Sequence, residues 1–459
     1  MSLPNQDLGT AGETYGHKFI WTAQHPDISE LRKGLYTYDT LASEAIDRID
    51  AISPPVPNNG QKCPMGQRDL YGLLLEHREK DETLNKLYHE ITDIPDWVDW
   101  AQIERGQRVV KQYHGQAILG LLLNSLLGGM AAWRVVETLA RTGGFGVNVT
   151  RRRLLETSQH FIECIESLDA VKPGGSGYVS SVRVRLLHAT VRRRIIQLAK
   201  DKPGYYDIAK WGVPINDLHQ IGTIDAYSTA LVYLSLPRQG IVLSEQKIAD
   251  YLALWRWIGH IMGTPVGWME TPERAKAMME TVMKSELDPS RNSQIIANNI
   301  LTAQVNVPPL YASREYLAAL AYRVNGDALA AALHIDRPSL YYRCLAGMQC
   351  LLLMSTSAIY GYLPETRQRR RDARFIAHGH EMVRSQRLGG IGHSSKFEFQ
   401  YTPAIGKMTE MAAFGPSATL MVLMAVVLVS NLLYPWQEIA ARRVGELVMP
   451  GEQVLQGLL

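Results

Sequence analysis

The stretch VRVRLLHATVRRR, residues 182–194, decides the fold, because its apolar residues recur with the 3.6-residue period of an α-helix. The same period recurs along much of the chain, whereas few segments alternate with the two-residue period of a strand. The helical segments predicted in this way are residues 28–53, 68–91, 97–112, 150–168, 179–200, 216–234 and 244–262. A chain of 459 residues with no convincing strand is predicted to be all-α, folded around a single large helical core.

The composition excludes several classes of protein. Lys plus Arg number 48 and Asp plus Glu 45, so the basic excess that is typical of nucleic-acid-binding proteins is missing. The four cysteines are scattered and form no CxxC pair, which argues against a disulfide scaffold or a zinc ribbon. The N-terminus lacks the apolar segment of a secretory signal. We therefore expect a protein that is not secreted and lies in the cytoplasm or at the cytoplasmic face of a membrane.

Two uncharged stretches bear on membrane contact. Residues 115–133 are interrupted by four glycines and an asparagine, which favours a buried core helix. Residues 411–437 are uncharged over 27 positions, enough to cross a bilayer core of about 30 Å. Two alternatives stay open for this second stretch. It is either a membrane-associated helix over residues 415–434 or a very apolar helix that covers the core.

Residues 182–194 also carry a candidate metal ligand. His188 lies between apolar neighbours, with Arg185 one turn before it and Arg192 one turn after it. A neutral imidazole on an apolar helix face suits axial binding to haem iron, and nearby arginines suit haem carboxylates. The alternative is a core histidine bonded to a neighbour, with both arginines on a solvated edge.

A second polar helix begins near Thr150, which we predict to be its N-cap. Arg153, Glu156, Thr157 and His160 then fall on one face of that helix. Such a face suits contact with a ligand. Elsewhere the chain has no P-loop, no HExxH zinc motif and no complete dinucleotide fingerprint, and it has no pair of Glu-x-x-His motifs for a di-iron site.

An ordered set of motifs resembles the family of haem-b oxygenases that contains rubber oxygenase (latex clearing protein) and the mpaB-type enzymes. The core of the resemblance is Arg153-x-x-Glu156-Thr157 followed by Val184-Arg185-Leu186-Leu187-His188-Ala189. The further matching stretches are residues 94–100, 141–144, 212–216, 218–223 and 255–259. Together they cover roughly residues 90–265 in a consistent order.

The resemblance implies a globin-like helical bundle that binds haem b without a covalent link. It implies that His188 is the axial ligand of the iron and that Arg153 and Thr157 are the distal residues needed for activity. Arg185 and Arg192 match arginines that flank the axial histidine. Rubber oxygenase has a lysine before the distal threonine, and this chain has Glu156 instead. Glu156 is therefore a candidate general base, or it pairs with Arg153 on the adjacent turn.

Glu137 is a second candidate base, and its alternative is a surface glutamate paired with Arg134 or Arg141. The resemblance implies a haem b-dependent dioxygenase that uses O₂ to cleave a C=C bond in an apolar, isoprenoid-like substrate. Two other functions stay open: a non-catalytic haem- or lipid-binding protein, and a peroxidase with Arg153 and His160 as its distal pair. The predicted organisation is an N-terminal arm over residues 1–60, an oxygenase-like domain over 61–350 and a C-terminal extension over 351–459.

Overall fold

The computed structural model describes residues 6–55, 68–142, 145–308 and 310–397. Within these ranges the chain is almost entirely helical, and its sheet is one two-stranded antiparallel hairpin. The prediction of an all-α protein is therefore confirmed. The apolar stretch 411–437 lies outside the described residues.

The elements follow one another along the chain with short connections. The strands are β1 Ala11–Thr14 and β2 His17–Ile20. The first helices are α1 Ile28–Lys33, α2 Thr40–Ile52, α3 Leu70–His77, α4 Glu82–Thr92, α5 Trp100–Gln112, α6 His114–Gly120, α7 Trp133–Arg141, α8 Val147–Ile165, α9 Leu168–Val171 and α10 Ser176–Asp201. The others are α11 Ile208–Trp211, α12 Asp217–Tyr227, α13 Leu236–Arg238, α14 Glu245–Ile261, α15 Pro272–Glu286, α16 Arg291–Thr302, α17 Arg314–Asn325, α18 Asp327–Ala332, α19 Leu340–Tyr362 and α20 Glu365–Arg384. Two π-helical segments, Leu121–Leu127 and Leu231–Ser235, and four short 3₁₀ turns, Arg78–Lys80, Gly128–Ala131, Gly267–Met269 and Gln386–Leu388, complete the chain.

The predicted helices agree with the observed ones to within a few residues, except where a segment divides. Residues 28–53 form α1 and α2, because Asp39 caps a new helix by accepting a hydrogen bond from the backbone of Ala42. The prediction that Thr150 is an N-cap is wrong. α8 begins at Val147, and the Thr150 hydroxyl donates to the Gly146 carbonyl one turn back. The hairpin of β1 and β2 was not predicted.

The core is built on α5 and α14, which pack closely along their length. Gly106 makes this approach possible, because a β-carbon there would lie 2.2 Å from the Asp250 carbonyl oxygen. α14 contributes Trp255 and Trp257, both almost completely buried. α10 packs on α2, α8 and α14 and runs through the same hydrophobic cluster. α10 is thus a central helix of the fold.

The arginines of α10 are neutralised by the N-terminal part of the chain. Buried Arg185 donates to both oxygens of Asp39, at 2.7 and 3.1 Å, and also pairs with Glu90. Arg192, which is 1% exposed, donates to the carbonyls of residues 39, 214 and 215 and to a serine hydroxyl. Arg183 pairs with Asp69, and Arg193 pairs with two aspartates of α2. These contacts join the predicted N-terminal arm to the helical core.

We predict that Arg185→Met destabilises the protein by about 3 kcal/mol or more, because it leaves the buried Asp39 carboxylate without its partner. The matched control is Arg183→Met on the same helix, whose ion pair with Asp69 is only partly buried. The control change should cost about 1 kcal/mol or less. Urea unfolding of both variants measures the two values. Equal losses of stability would contradict the role given to the buried pair.

Candidate functional site

α10 places His188 in the interior, where its imidazole is neutral. The pKa of His188 is lowered from 6.5 to about 4, mainly by burial and then by the nearby charge of Arg192 and the proximity of His160. The ring is nevertheless only partly covered by its neighbours. A buried neutral imidazole with some accessible surface has the form that a metal can use as a ligand.

The Nδ1 atom of His188 is completely buried and has no hydrogen-bond partner. The side chain of Gln220 on α12 lies beside the ring and favours its protonated form. Because Nδ1 is enclosed, the ring nitrogen able to reach a ligand is Nε2 on the opposite edge. The amide nitrogen of Gln220 is likewise buried without a hydrogen-bond partner, so Gln220 is a polar neighbour of the ring that makes no hydrogen bond to Nδ1.

α8 carries Arg153 into the same region. Burial lowers the pKa of the Arg153 guanidinium, while the charge of Glu156 raises it. Its hydrogen bond goes to the Thr142 hydroxyl at 3.4 Å, and its guanidinium lies 5.5 Å from the centre of the Phe145 ring. Within the described ranges, no carboxylate lies close enough to Arg153 for a salt bridge. This cation is consequently suited to attract an anionic or strongly polar oxygen.

Thr157, one turn after Arg153, lies on the exposed side of α8. Thr157 and Ser158 are exposed, yet the Thr157 side chain interacts with the phenol of Tyr227, which packs within the core cluster. Burial raises the pKa of Tyr227 well above its usual range, so its hydroxyl keeps its proton. Thr157 is therefore an exposed residue of α8 whose side chain reaches the phenol of Tyr227.

α12 connects the two halves of the site, and the sequence prediction missed its role. Gln220 meets His188, and Tyr227, seven residues later, meets Thr157. The two contacts are about two turns, or roughly 10 Å, apart along the helix. α8 and α10 pack directly on each other, whereas α12 approaches both mainly through side chains. The one signal in the sequence was the family-like stretch 218–223, which contains Gln220.

His160 lies near His188 but does not pair with Arg153. Its Nδ1 is 3.0 Å from the Ser180 hydroxyl, and the Cys164 sulfur is 3.7 Å from both ring nitrogens. Burial lowers the pKa of His160 to about 4. The peroxidase hypothesis needs His160 and Arg153 to act as a pair, and the contacts of the described residues do not bring them together.

The Glu156 carboxylate is bound by protein partners other than Arg153. Its carboxylate accepts from Arg152 at 3.2 Å and from the Ser395 hydroxyl at 3.2 Å. Ser395 belongs to the segment 385–397 that crosses the outside of α8, and it also exchanges two hydrogen bonds with Gln159. The predicted pairing of Glu156 with Arg153 is replaced by these contacts. A role for Glu156 as general base stays a prediction.

Glu137 is also committed to protein partners. It is buried, its carboxylate accepts from Arg141 at 2.6 Å, and it accepts from Asn292 at 2.9 Å. The alternative prediction had two parts. Glu137 does not lie at the surface, but it does pair with Arg141 as that alternative expected. As a general base, Glu137 would first have to exchange one of these bonds.

Arg185 and Arg192 likewise have protein partners, the carboxylates and carbonyls described above. The alternative that they lie on a solvated edge is wrong, because they are 3% and 1% exposed. Their contacts favour a structural role, because the guanidinium nitrogens of both arginines hold α2 and the loop after α11 against α10. Contact with haem carboxylates stays a prediction for both.

His188 is a single protein ligand, which suits a metal whose other ligands come from a cofactor. Among the described residues, no group of three or more His, Cys, Asp or Glu side chains could hold a metal ion. Haem iron needs a single axial protein ligand. The neutral ring of His188, with an enclosed Nδ1 and an accessible opposite edge, meets that requirement.

Comparison with known proteins gives consistent results. Residues 111–349 match the family described as "ER-bound oxygenase mpaB/B'/Rubber oxygenase, catalytic domain". Rubber oxygenase of Streptomyces sp. (strain K30) is 22% identical over 260 residues, which cover 53% of this chain and 58% of that protein. The solved structure of latex clearing protein in its closed state aligns with a TM-score of 0.54 at 20% identity, over 75% of this chain and 91% of that one. This structural likeness shows a shared fold.

The family match covers more than half of the chain and includes α7, α8, α10 and α12. Arg153, Thr157, His188, Gln220 and Tyr227 all lie inside it. The chain belongs to the mpaB and rubber oxygenase family of oxygenases.

Proposed function

We propose that this protein is a haem b-dependent dioxygenase that cleaves a C=C bond in a lipophilic, isoprenoid-like substrate. The observation that carries the proposal is His188, a buried neutral imidazole on α10, which packs on the helix α8 that carries Arg153 and Thr157, in a chain of an oxygenase family. Both atoms of one O₂ would enter the product as two carbonyl groups. Rubber, named as the substrate of the Streptomyces relative, is one member of this substrate class.

His188 would hold the cofactor through Nε2, with Gln220 as a polar neighbour of the ring. Bound haem supplies the activation of O₂, which the protein side chains cannot perform. Arg153 would attract the oxygen atoms that gain negative charge, because its guanidinium has no carboxylate partner among the described residues. Thr157, supported by the protonated phenol of Tyr227, would donate a hydrogen bond on the same side.

The non-catalytic alternative is a helical protein that carries haem or a lipid. The same imidazole would serve a carrier, so His188 does not separate the two functions. The distal residues do separate them. A carrier has no use for a buried arginine without a carboxylate partner beside a threonine–tyrosine pair, whereas an oxygenase needs polar groups where charge develops.

We predict that the purified protein reconstituted with haem shows a Soret band and that His188→Ala abolishes it. The matched control is His114→Ala, which removes another imidazole whose pKa is lowered to about 4 by burial, on α6 beside Phe375. The control should keep the band. If the wild type takes up no haem, the proposed function fails.

Thr157→Ala should keep the Soret band and lower turnover about 10²-fold, the usual cost of removing one donor to developing charge. Oxygen uptake and carbonyl products with a short isoprenoid hydrocarbon and with rubber latex measure turnover. A wild type that binds haem but turns over neither probe would favour the carrier.

The pH dependence of haem uptake follows from the pKa of His188. The unfolded chain takes up a proton on this ring below 6.5, but the folded protein does so only near 4. This group's contribution to stability is thus lost as the pH falls from 6.5 towards 4, while the folded ring stays neutral. We expect the Soret band to form down to about pH 5, where an exposed histidine would be mostly protonated. A midpoint near 6.5 for protein that circular dichroism shows to be folded would contradict the burial of this ring.

A further inference from the structure

α19 presents an apolar stripe that no described residue covers. The stripe consists of Tyr341, Met348, Leu351, Leu352, Ile359 and Tyr362, which are 36% to 90% exposed. At 3.6 residues per turn these side chains fall within an arc of roughly 100°. Single exposed apolar residues are common, but a contiguous row of this kind marks an interaction surface.

The opposite face of α19 is fixed to the protein. Ala346, Cys350, Ser357 and Tyr360 are buried, and Ser357 exchanges hydrogen bonds with Gln116 of α6. Among the described helices, α19 is the one whose length and composition would suffice to cross a membrane. Because one side is held against protein, the helix as placed can only lie along a surface, with its stripe outward.

α20 adds a basic face next to this stripe. Arg367, Arg370 and Arg374 are exposed and fall within an arc of roughly 60°. The two helices are joined by residues 363–364 and run antiparallel, since residue 356 bonds to residue 371 and residue 360 to residues 368 and 372.

The stripe and the basic face lie on the same side of this hairpin. Around the axis of α19, the stripe lies roughly 110° from the side of that helix that contacts α20. Around the axis of α20, the three arginines lie at a similar angle, in the same sense, from the side that contacts α19. In antiparallel right-handed helices, equal rotations from the line of contact lead to the same side. The hairpin therefore presents apolar and cationic side chains together on one surface.

From this surface we propose that the α19–α20 hairpin docks on a bilayer that contains anionic phospholipid. A peripheral helix buries its apolar side at the acyl boundary while nearby cations meet the headgroups. Tyr341 and Tyr362 stand at the two ends of the stripe, and tyrosine favours the membrane interface. A second copy of the chain is less suitable, because a symmetric pair would bring two sets of arginines together.

The proposal does not depend on haem or on catalysis. It would nevertheless bring the oxygenase site near the lipid, because α20 packs with its other side on α8, where His380 pairs with Glu166 at 2.7 Å.

The test is co-sedimentation of the full chain with phosphatidylcholine vesicles, with and without phosphatidylserine. The wild type should bind the anionic vesicles, and salt should weaken that binding. Arg367→Glu with Arg370→Glu should weaken it about tenfold or more, since each cation near such a surface contributes about 1 kcal/mol. Met348→Asp with Leu351→Asp should weaken binding to both kinds of vesicle.

The matched controls are Arg291→Glu and Leu8→Asp, which change an exposed arginine and an exposed leucine outside the hairpin. Both should bind as the wild type does, and all variants should unfold at the wild-type temperature. The proposal is overturned if the wild type binds neither vesicle. It is also overturned if the hairpin variants bind normally, which would place membrane contact elsewhere in the chain. A change from dimer to monomer in those variants, without loss of vesicle binding, would assign the stripe to a second copy.

Discussion

The arginines of α10 are the constraint on which the rest of this structure depends. A helix that runs through the core with Arg185 and Arg192 almost completely buried must be given counter-charges and carbonyl oxygens at fixed positions. The aspartates and the glutamate that meet its arginines all come from the first 90 residues. His188 lies one turn from each of these two buried arginines, and its burial together with the charge of Arg192 keeps the imidazole neutral.

This arrangement explains why the sequence predicted the helices well and the roles of several site residues less well. Apolar periodicity is local, so α5, α8, α10 and α14 were found nearly at their observed bounds. The carboxylate partners of Arg185 lie 95 and 146 residues away in the chain, and the Ser395 partner of Glu156 lies 239 residues away. No local pattern encodes such distances. The β1–β2 hairpin was missed because four-residue strands are too short for alternation to show.

Part of the site could be predicted from the spacing of residues within a helix. The rest could not be predicted, because it comes from a third helix. Arg153, Thr157 and His188 were identified from spacing and family resemblance. Gln220 and Tyr227 look like ordinary polar and aromatic members of α12 until its position relative to α8 and α10 is known. Their positions assign them tasks that spacing alone cannot: one lies beside the proposed iron ligand, and the other lies beside the distal threonine.

The region matched to the family, residues 111–349, does not contain everything that shapes this site. On one side, Asp39 and Glu90 neutralise the helix that carries His188. On the other side, α20 and segment 385–397 cover α8, and the Ser395 hydroxyl donates a hydrogen bond to the Glu156 carboxylate. A fragment limited to the matched residues would leave Arg185 buried without its anions and Glu156 free to swing toward Thr157. Chain segments outside the matched residues therefore supply the charges and contacts that fix α8 and α10.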